Sequence, residues 1–160
     1  MDAQTKKQAL RMFSYGVYIL GLKHGDTLNA STVSWVSQVS FEPPLVMVAL
    51  RNDSLTRDMV EGSGCFTINV VGENQTAMAG AFFKQAQAEG NRLNGYAVEP
   101  GPATGAPIFA DAPAWLECKV VEMVKRGDHT VAIAEVVNVG VRDSQIRPLP
   151  LAATAWHYGG

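Results

Sequence analysis

A chain of 160 residues, 47% hydrophobic and 18% charged, carries enough apolar side chains for one sizeable core and reads as an ordinary globular sequence. Its formal net charge is −2 with no basic run, which excludes nucleic acid as a main partner, because phosphate-backbone binding needs clustered Lys and Arg. No apolar stretch approaches the roughly 18 residues of a membrane span, so no membrane partner is expected and the expected location is cytoplasmic.

Met1–Lys7 leads into an amphipathic turn, not into an apolar signal core. Thr5–Phe13 reads as a short helix capped by Thr5, with Ala9, Leu10, Met12 and Phe13 toward the core and Gly16 at its end. Val17–Lys23 is rich in β-branched and aromatic residues and reads as a strand. His24-Gly25-Asp26 makes a turn into a second, long strand, Thr27–Ser40, bent near Ser31–Ser34. That strand carries polar residues on both faces, a pattern that wants a ligand or partner on one of them. Pro43-Pro44 stops it, since neither residue donates a ladder bond.

Leu45–Leu50 is apolar without alternation, as expected of a strand covered on both sides. A short helix over Ser54–Glu61, closed by Gly62, a strand over Phe66–Val71 and a small-residue helix over Ala77–Phe83 follow. Lys84–Pro113 is rich in Gly and Pro; it is expected to be a lid or binding loop, or a strand-like wrap over a barrel wall. Ala114–Lys125 and His129–Val141 form a hairpin around Arg126-Gly127-Asp128. The tail Leu149–Gly160 ends in Trp156-His157-Tyr158-Gly159-Gly160, aromatic residues expected to dock on something. Six or seven strands with few, short helices predict a mainly β chain, an antiparallel barrel or sandwich forming one domain over 1–160.

Cys65 and Cys118 lie far apart and are expected to be buried free thiols; no metal site is expected, since His24, His129 and His157 show no ligand spacing. The informative stretch is Thr27–Thr56. An apolar strand delivers Arg51, Ser54 and Thr56 to one corner at a helix start, the residue types of an anion site. The Ser/Thr/Asn/Gln-rich strand before it offers hydrogen bonds to a flat, polar ligand.

In its motifs this stretch resembles the flavin reductase-like family of FMN-binding split β-barrels. The resemblance rests on Asn29–Leu50 (N-A-S-T-V-S-W-V-S-Q-V-S-F-E-P-P-L-V-M-V-A-L) with Arg51, Ser54 and Thr56 after it. It rests also on Gly64–Val70 (G-C-F-T-I-N-V), and on Gly127-Asp128-His129 before Ile133-Ala134-Glu135-Val136. Ala134 departs from the glycine many members carry there. The C-terminal tail is similar to that of a flavoredoxin-like subgroup and of flavin domains in larger electron-transfer proteins.

The resemblance implies a split barrel with a few short helices that binds FMN and uses NAD(P)H as co-substrate, as a homodimer with the site at the subunit interface. It implies that Arg51, Asn52, Ser54 and Thr56 hold the phosphate. Asn29, Ala30, Ser31, Thr32, Val36, Ser37 and Gln38 read the ring and ribityl chain, with Trp35 near the ring or in a core or dimer role. Phe83 and Lys84 lie at the pocket wall, and His129 stands near the nicotinamide, orienting it. Hydride transfer needs mainly close stacking of two rings, so no obligatory base is expected. Three functions are compatible with these residues: an NAD(P)H-dependent flavin reductase, an FMN electron carrier reduced by a redox protein partner, and a split-barrel module for another ligand such as haem.

Overall fold

The structure, a computed structural model, describes residues 1–160. Its main sheet is antiparallel throughout and has seven strands, in the order β2-β1-β5-β10-β11-β4-β3. These are β1 (Tyr18–His24), β2 (Thr27–Val33), β3 (Val36–Ser40), β4 (Leu45–Arg51), β5 (Cys65–Val70), β10 (Ala114–Arg126) and β11 (His129–Val141). Four short strands form a second sheet: β6 (Ala88–Glu89), β7 (Arg92–Leu93), β8 (Tyr96–Pro100) and β9 (Pro107–Phe109). The helices are α1 (Ala3–Leu10), α2 (Leu55–Ser63) and α3 (Thr76–Gly80).

Closure of the main sheet follows from chain length. The edge strands β2 and β3 are separated only by Ser34 and Trp35. In a flat sheet of this width the edges would stand about 29 Å apart, at about 4.8 Å per strand. The three Cα steps from Val33 to Val36 reach at most about 11 Å. The sheet therefore curls into a barrel whose seam, between β2 and β3, carries no ladder. The expected continuous strand Thr27–Ser40 is thus two strands on opposite edges. Its predicted bend is the crossing of the seam, fixed by the Ala49 N–H donating to the Trp35 carbonyl at 3.0 Å.

Alternation sorts the strand residues into two cores. Leu20, Leu22, Val46, Val48, Leu50, Phe66, Ile68, Ala132 and Ala134 fill the barrel with Met59 and Val60 of α2. On the other side of β1, Ile19 joins Phe82, Leu93, Val98 and Phe109 in a core between the barrel wall and the small sheet. The Lys84–Pro113 segment is therefore the wrap over the wall and not a loose lid. Gly21 permits its close approach: a Cβ there would stand 1.9 Å from the Pro107 carbonyl oxygen. Glu117, fully buried beneath this layer, accepts from the Ala103 amide at 3.0 Å, the Thr104 amide and hydroxyl at 2.8 Å each, and Asn138 at 2.7 Å.

Three local expectations are corrected. The first helix ends at Leu10 and is capped by Asp2, whose carboxylate accepts from the Thr5 amide at 2.7 Å; Thr5 donates its own hydroxyl to the same group. None of its residues is buried, and Leu10, Met12 and Phe13 face solvent, because so short a helix meets no apolar surface of its own chain. Helix α2 runs past Gly62 to Ser63, where Gly64 takes the left-handed cap. Both cysteines are free, but only Cys118 is buried; Cys65 is half-buried.

Candidate functional site

The seam opens beside a cavity of about 690 Å³, within the range of roughly 300–1,000 Å³ typical of ligand sites. Its floor is Asn29–Val33 of β2 with Ser34 after it, and the end of β4, Ala49–Arg51. One end is closed by the start of α2, and the far wall by Phe83, Lys84 and the C-terminal residues Leu151 and Trp156–Tyr158. A second, shallower recess shares Trp35, Arg51, Asp53 and Tyr158 with it and adds Asn52, Asp128 and His129.

The α2 end has the donor set of an anion site. Ser54 caps the helix, accepting from the Arg57 amide at 3.2 Å and donating to the Arg51 carbonyl at 2.7 Å. The amides of Leu55 and Thr56 have no partner in the protein. They are the unpaired donors that every helix start leaves over, and here they border a cavity. Beside them Arg51 is turned onto Asp53 in a two-pronged pair at 3.0 and 2.7 Å. Hydrogen bonding from Arg51 holds the Asp53 carboxyl below the usual carboxylate range.

The strand residues divide by what their side chains already bind. Asn29 is buried and accepts from the Ala86 amide at 2.9 Å, so its carbonyl is committed to the fold. Thr32 donates to the Ala79 carbonyl at 2.6 Å. Ala30, Ser31 and Ser34 present small surfaces to the cavity. Val36, Ser37 and Gln38 lie outside it. Past the seam, β3 runs away along β4, pairing Ser37 with Met47 and Gln38 with Val46, and the Ser37 and Gln38 side chains bond their own strand. Asn52 ties the end of β4 to the late hairpin, donating to the Gly127 carbonyl at 3.0 Å and accepting from Thr130 at 2.7 Å.

Across the ladder from Arg51, His129 stands between two groups. Its Nδ1 lies 2.7 Å from the Asp128 carboxylate and its Nε2 2.7 Å from the Tyr158 hydroxyl. A carboxylate only accepts, so Nδ1 carries the proton and, in the neutral ring, Nε2 accepts from Tyr158. This bond from His129 holds Asp128 below the usual carboxylate range, while burial pushes the Tyr158 phenol up. The Trp35 ring lies 4.7 Å from His129 and 5.1 Å, edge-on, from Tyr158. Its indole N–H is buried without a partner. Across the cavity Trp156 meets Phe83 edge-on at 4.6 Å. Asp53, Gln85 and the tail aromatics are lining residues that the sequence pattern did not assign, while Trp35, expected near the ring or in a core or dimer role, stands in this wall.

A seamed antiparallel barrel with a cavity along the seam, and a helix start and cation at its end, defines a split barrel of the flavin-binding type. The chain belongs to the flavin reductase like domain family, whose model matches residues 10–159. Among relatives, the NADH-dependent flavin reductase StyB of Pseudomonas fluorescens is 31% identical, over 100% of this chain and 91% of its own. The diflavin flavoprotein A 1 of Synechocystis sp. is 31% identical over 86% of this chain but 24% of its own, so the chain spans about a quarter of such proteins. Among solved structures, the styrene monooxygenase flavin reductase SMOB of Pseudomonas putida S12 superposes with a TM-score of 0.80 at 28% identity, covering 96% of this chain and 95% of that one. No helix is long and apolar enough to cross a membrane.

Proposed function

We propose that this protein is an NAD(P)H-dependent flavin reductase that holds FMN in the seam cavity. The observation that carries the reading is the pairing of Arg51 with the two free amides of α2 at one end of a cavity of flavin size. Those groups fit a phosphate: two backbone donors and a helix dipole are fixed, and a guanidinium stands beside them. To grip the anion Arg51 exchanges Asp53 for phosphate. The small residues Ala30, Ser31 and Ser34 let a flat ring come close to the β2 backbone. Bound there, FMN supplies the hydride acceptor. The chain's own part is to hold the ring, exclude water with Trp35 and the tail, and present His129 at the rim, its tautomer fixed by Asp128, to orient a nicotinamide amide.

A homodimer fits the outer barrel face. Residues alternating with the core positions of β4, β10 and β11 point outward, and they are Met47, Ala49, Val124, Val131 and Ile133, paired in register. A solvated face would be polar; this one suits a second copy. A reduced nicotinamide donor suits a cytoplasmic location. The likeness to one segment of diflavin flavoproteins favours a second reading, an FMN carrier reduced by a redox protein.

Anaerobic titration of the FMN-loaded protein with NADH and with NADPH tests the assignment. Bleaching of the flavin band by either supports the reductase. Bleaching only by a reduced carrier protein supports the second reading, and a protein that neither binds FMN nor gains thermal stability from it has neither function.

A further inference from the structure

The C-terminal residues Trp156–Gly160 cross from one wall of the cavity to the other. Trp156 rests on Phe83, and Tyr158 rests on Trp35 and bonds His129. Gly159 lies close against the Trp35 indole: a Cβ on it would come within 3.1 Å of the ring and 3.6 Å of the indole nitrogen. That nitrogen is shut off from solvent without an acceptor, an arrangement that disfavours the state in which the segment is down.

What holds the segment is slight. After Trp156, whose amide donates to the Thr154 hydroxyl at 3.1 Å, no backbone amide finds a partner in the chain. Two polar ties remain, Tyr158 to His129 and Arg11 Nε to the Gly159 carbonyl at 3.1 Å, both exposed. A segment without ladder bonds, fixed by a few side-chain contacts, opens at low cost compared with the barrel.

We propose that Trp156–Gly160 is a strap that swings to admit a flat ring to the cavity and closes over it, with the Tyr158–His129 hydrogen bond as its latch. The proposal rests on the reading of the cavity as a flavin site. While the latch is closed, Tyr158 occupies Nε2 of His129 and covers Trp35, so opening also frees the rim for a second ring. Opening gives the Trp35 N–H access to solvent, which offsets part of the bond lost at His129.

Two measurements on the native chain, on Tyr158→Phe and on a chain ending at Thr154 test the strap. In stopped-flow binding of FMN to the apoprotein, the observed rate for the native chain rises with FMN and then levels at the opening rate. Tyr158→Phe raises that plateau roughly threefold to tenfold, the change expected from one hydrogen bond, and the chain ending at Thr154, which has no strap to open, binds without a plateau. Rates linear in FMN and equal in all three proteins would make the tail a fixed wall and overturn the proposal.

The second measurement needs no ligand. The Trp35 indole N–H resonance, assigned by its loss in Trp35→Phe, exchanges with solvent severalfold faster in Tyr158→Phe and in the shortened chain than in the native protein. Equal exchange overturns the strap. If FMN binds none of the proteins, the flavin reading fails and this exchange alone decides the strap.

Discussion

Arg51 and His129 are direct cross-strand partners: the last residue of β4 faces the first residue of β11. The cation proposed for the phosphate and the histidine proposed for the donor's ring therefore share one rung of one ladder, although 77 residues lie between them in sequence. Asn52 reinforces the rung through its bonds to Gly127 and Thr130. A rigid rung keeps the two halves of the site at a fixed separation, which two rings that must stack closely require.

Arg51→Ala removes the only side-chain cation at the α2 end of the cavity and should weaken FMN roughly tenfold to a hundredfold, as for a lost charge-assisted bond. Asp53→Asn works in the other direction. Arg51 no longer has to leave a carboxylate, and FMN should bind about threefold tighter. Fluorescence titration of the apoprotein measures both; an Arg51→Ala protein with native affinity would place the phosphate elsewhere.

Ser54 spends its hydroxyl inside the protein, on the Arg57 amide and the Arg51 carbonyl. Ser54→Ala should lower stability by about 1 kcal/mol, the usual effect of losing an N-cap. Its effect on FMN should be much smaller than that of Arg51→Ala. Urea unfolding with and without FMN separates the two. A stability unchanged within error would show that the cap contributes nothing.

Glu117 contributes to the acid limb of stability. Burial alone would push its carboxyl up, but the bonds from Asn138, Thr104 and Ala103 outweigh that and hold it below the usual range. A depressed folded pKa contributes stability that is complete above the unfolded value, about 4.3, and is lost as pH falls through the folded one. Glu117→Gln should flatten that loss below about pH 4.3 and cost about 1–3 kcal/mol at pH 7, since an amide cannot accept from all four donors. Unfolding free energies measured from pH 3 to 7 test this; parallel curves for the two proteins would exclude a contribution from Glu117.

Ile133→Glu places a charge amid Met47, Val131 and Val124 on the outer barrel face. The variant should sediment as a monomer where the native chain sediments as a dimer. A native chain that is itself monomeric at micromolar concentration would leave the apolar face with another occupant.

Strand chemistry was legible wherever pattern and turn residues agreed. The late hairpin was bounded to within one residue because Gly127, at φ 56°, sits between two long β-rich runs. The clustering of Arg51, Ser54 and Thr56 was legible because they lie close together in sequence and local spacing alone brings them to one helix start. Val36–Gln38 were grouped with Asn29–Thr32 because both runs are polar and nearly contiguous. Only closure of the barrel shows that the chain crosses a seam between them and leaves the cavity behind.

The sequence by itself determined the mainly β class, the core-filling runs and the grouping of Arg51, Ser54 and Thr56 at a helix start, all of which depend on neighbours a few positions apart. Tertiary structure decided which polar side chains were already taken, as with Asn29 by Ala86 and Thr32 by Ala79. It decided also that the tail's aromatics wall the cavity and that Tyr158 meets His129. Those contacts join segments dozens of residues apart, and no local pattern encodes them, because the register of a closed sheet is fixed only when all its strands are in place.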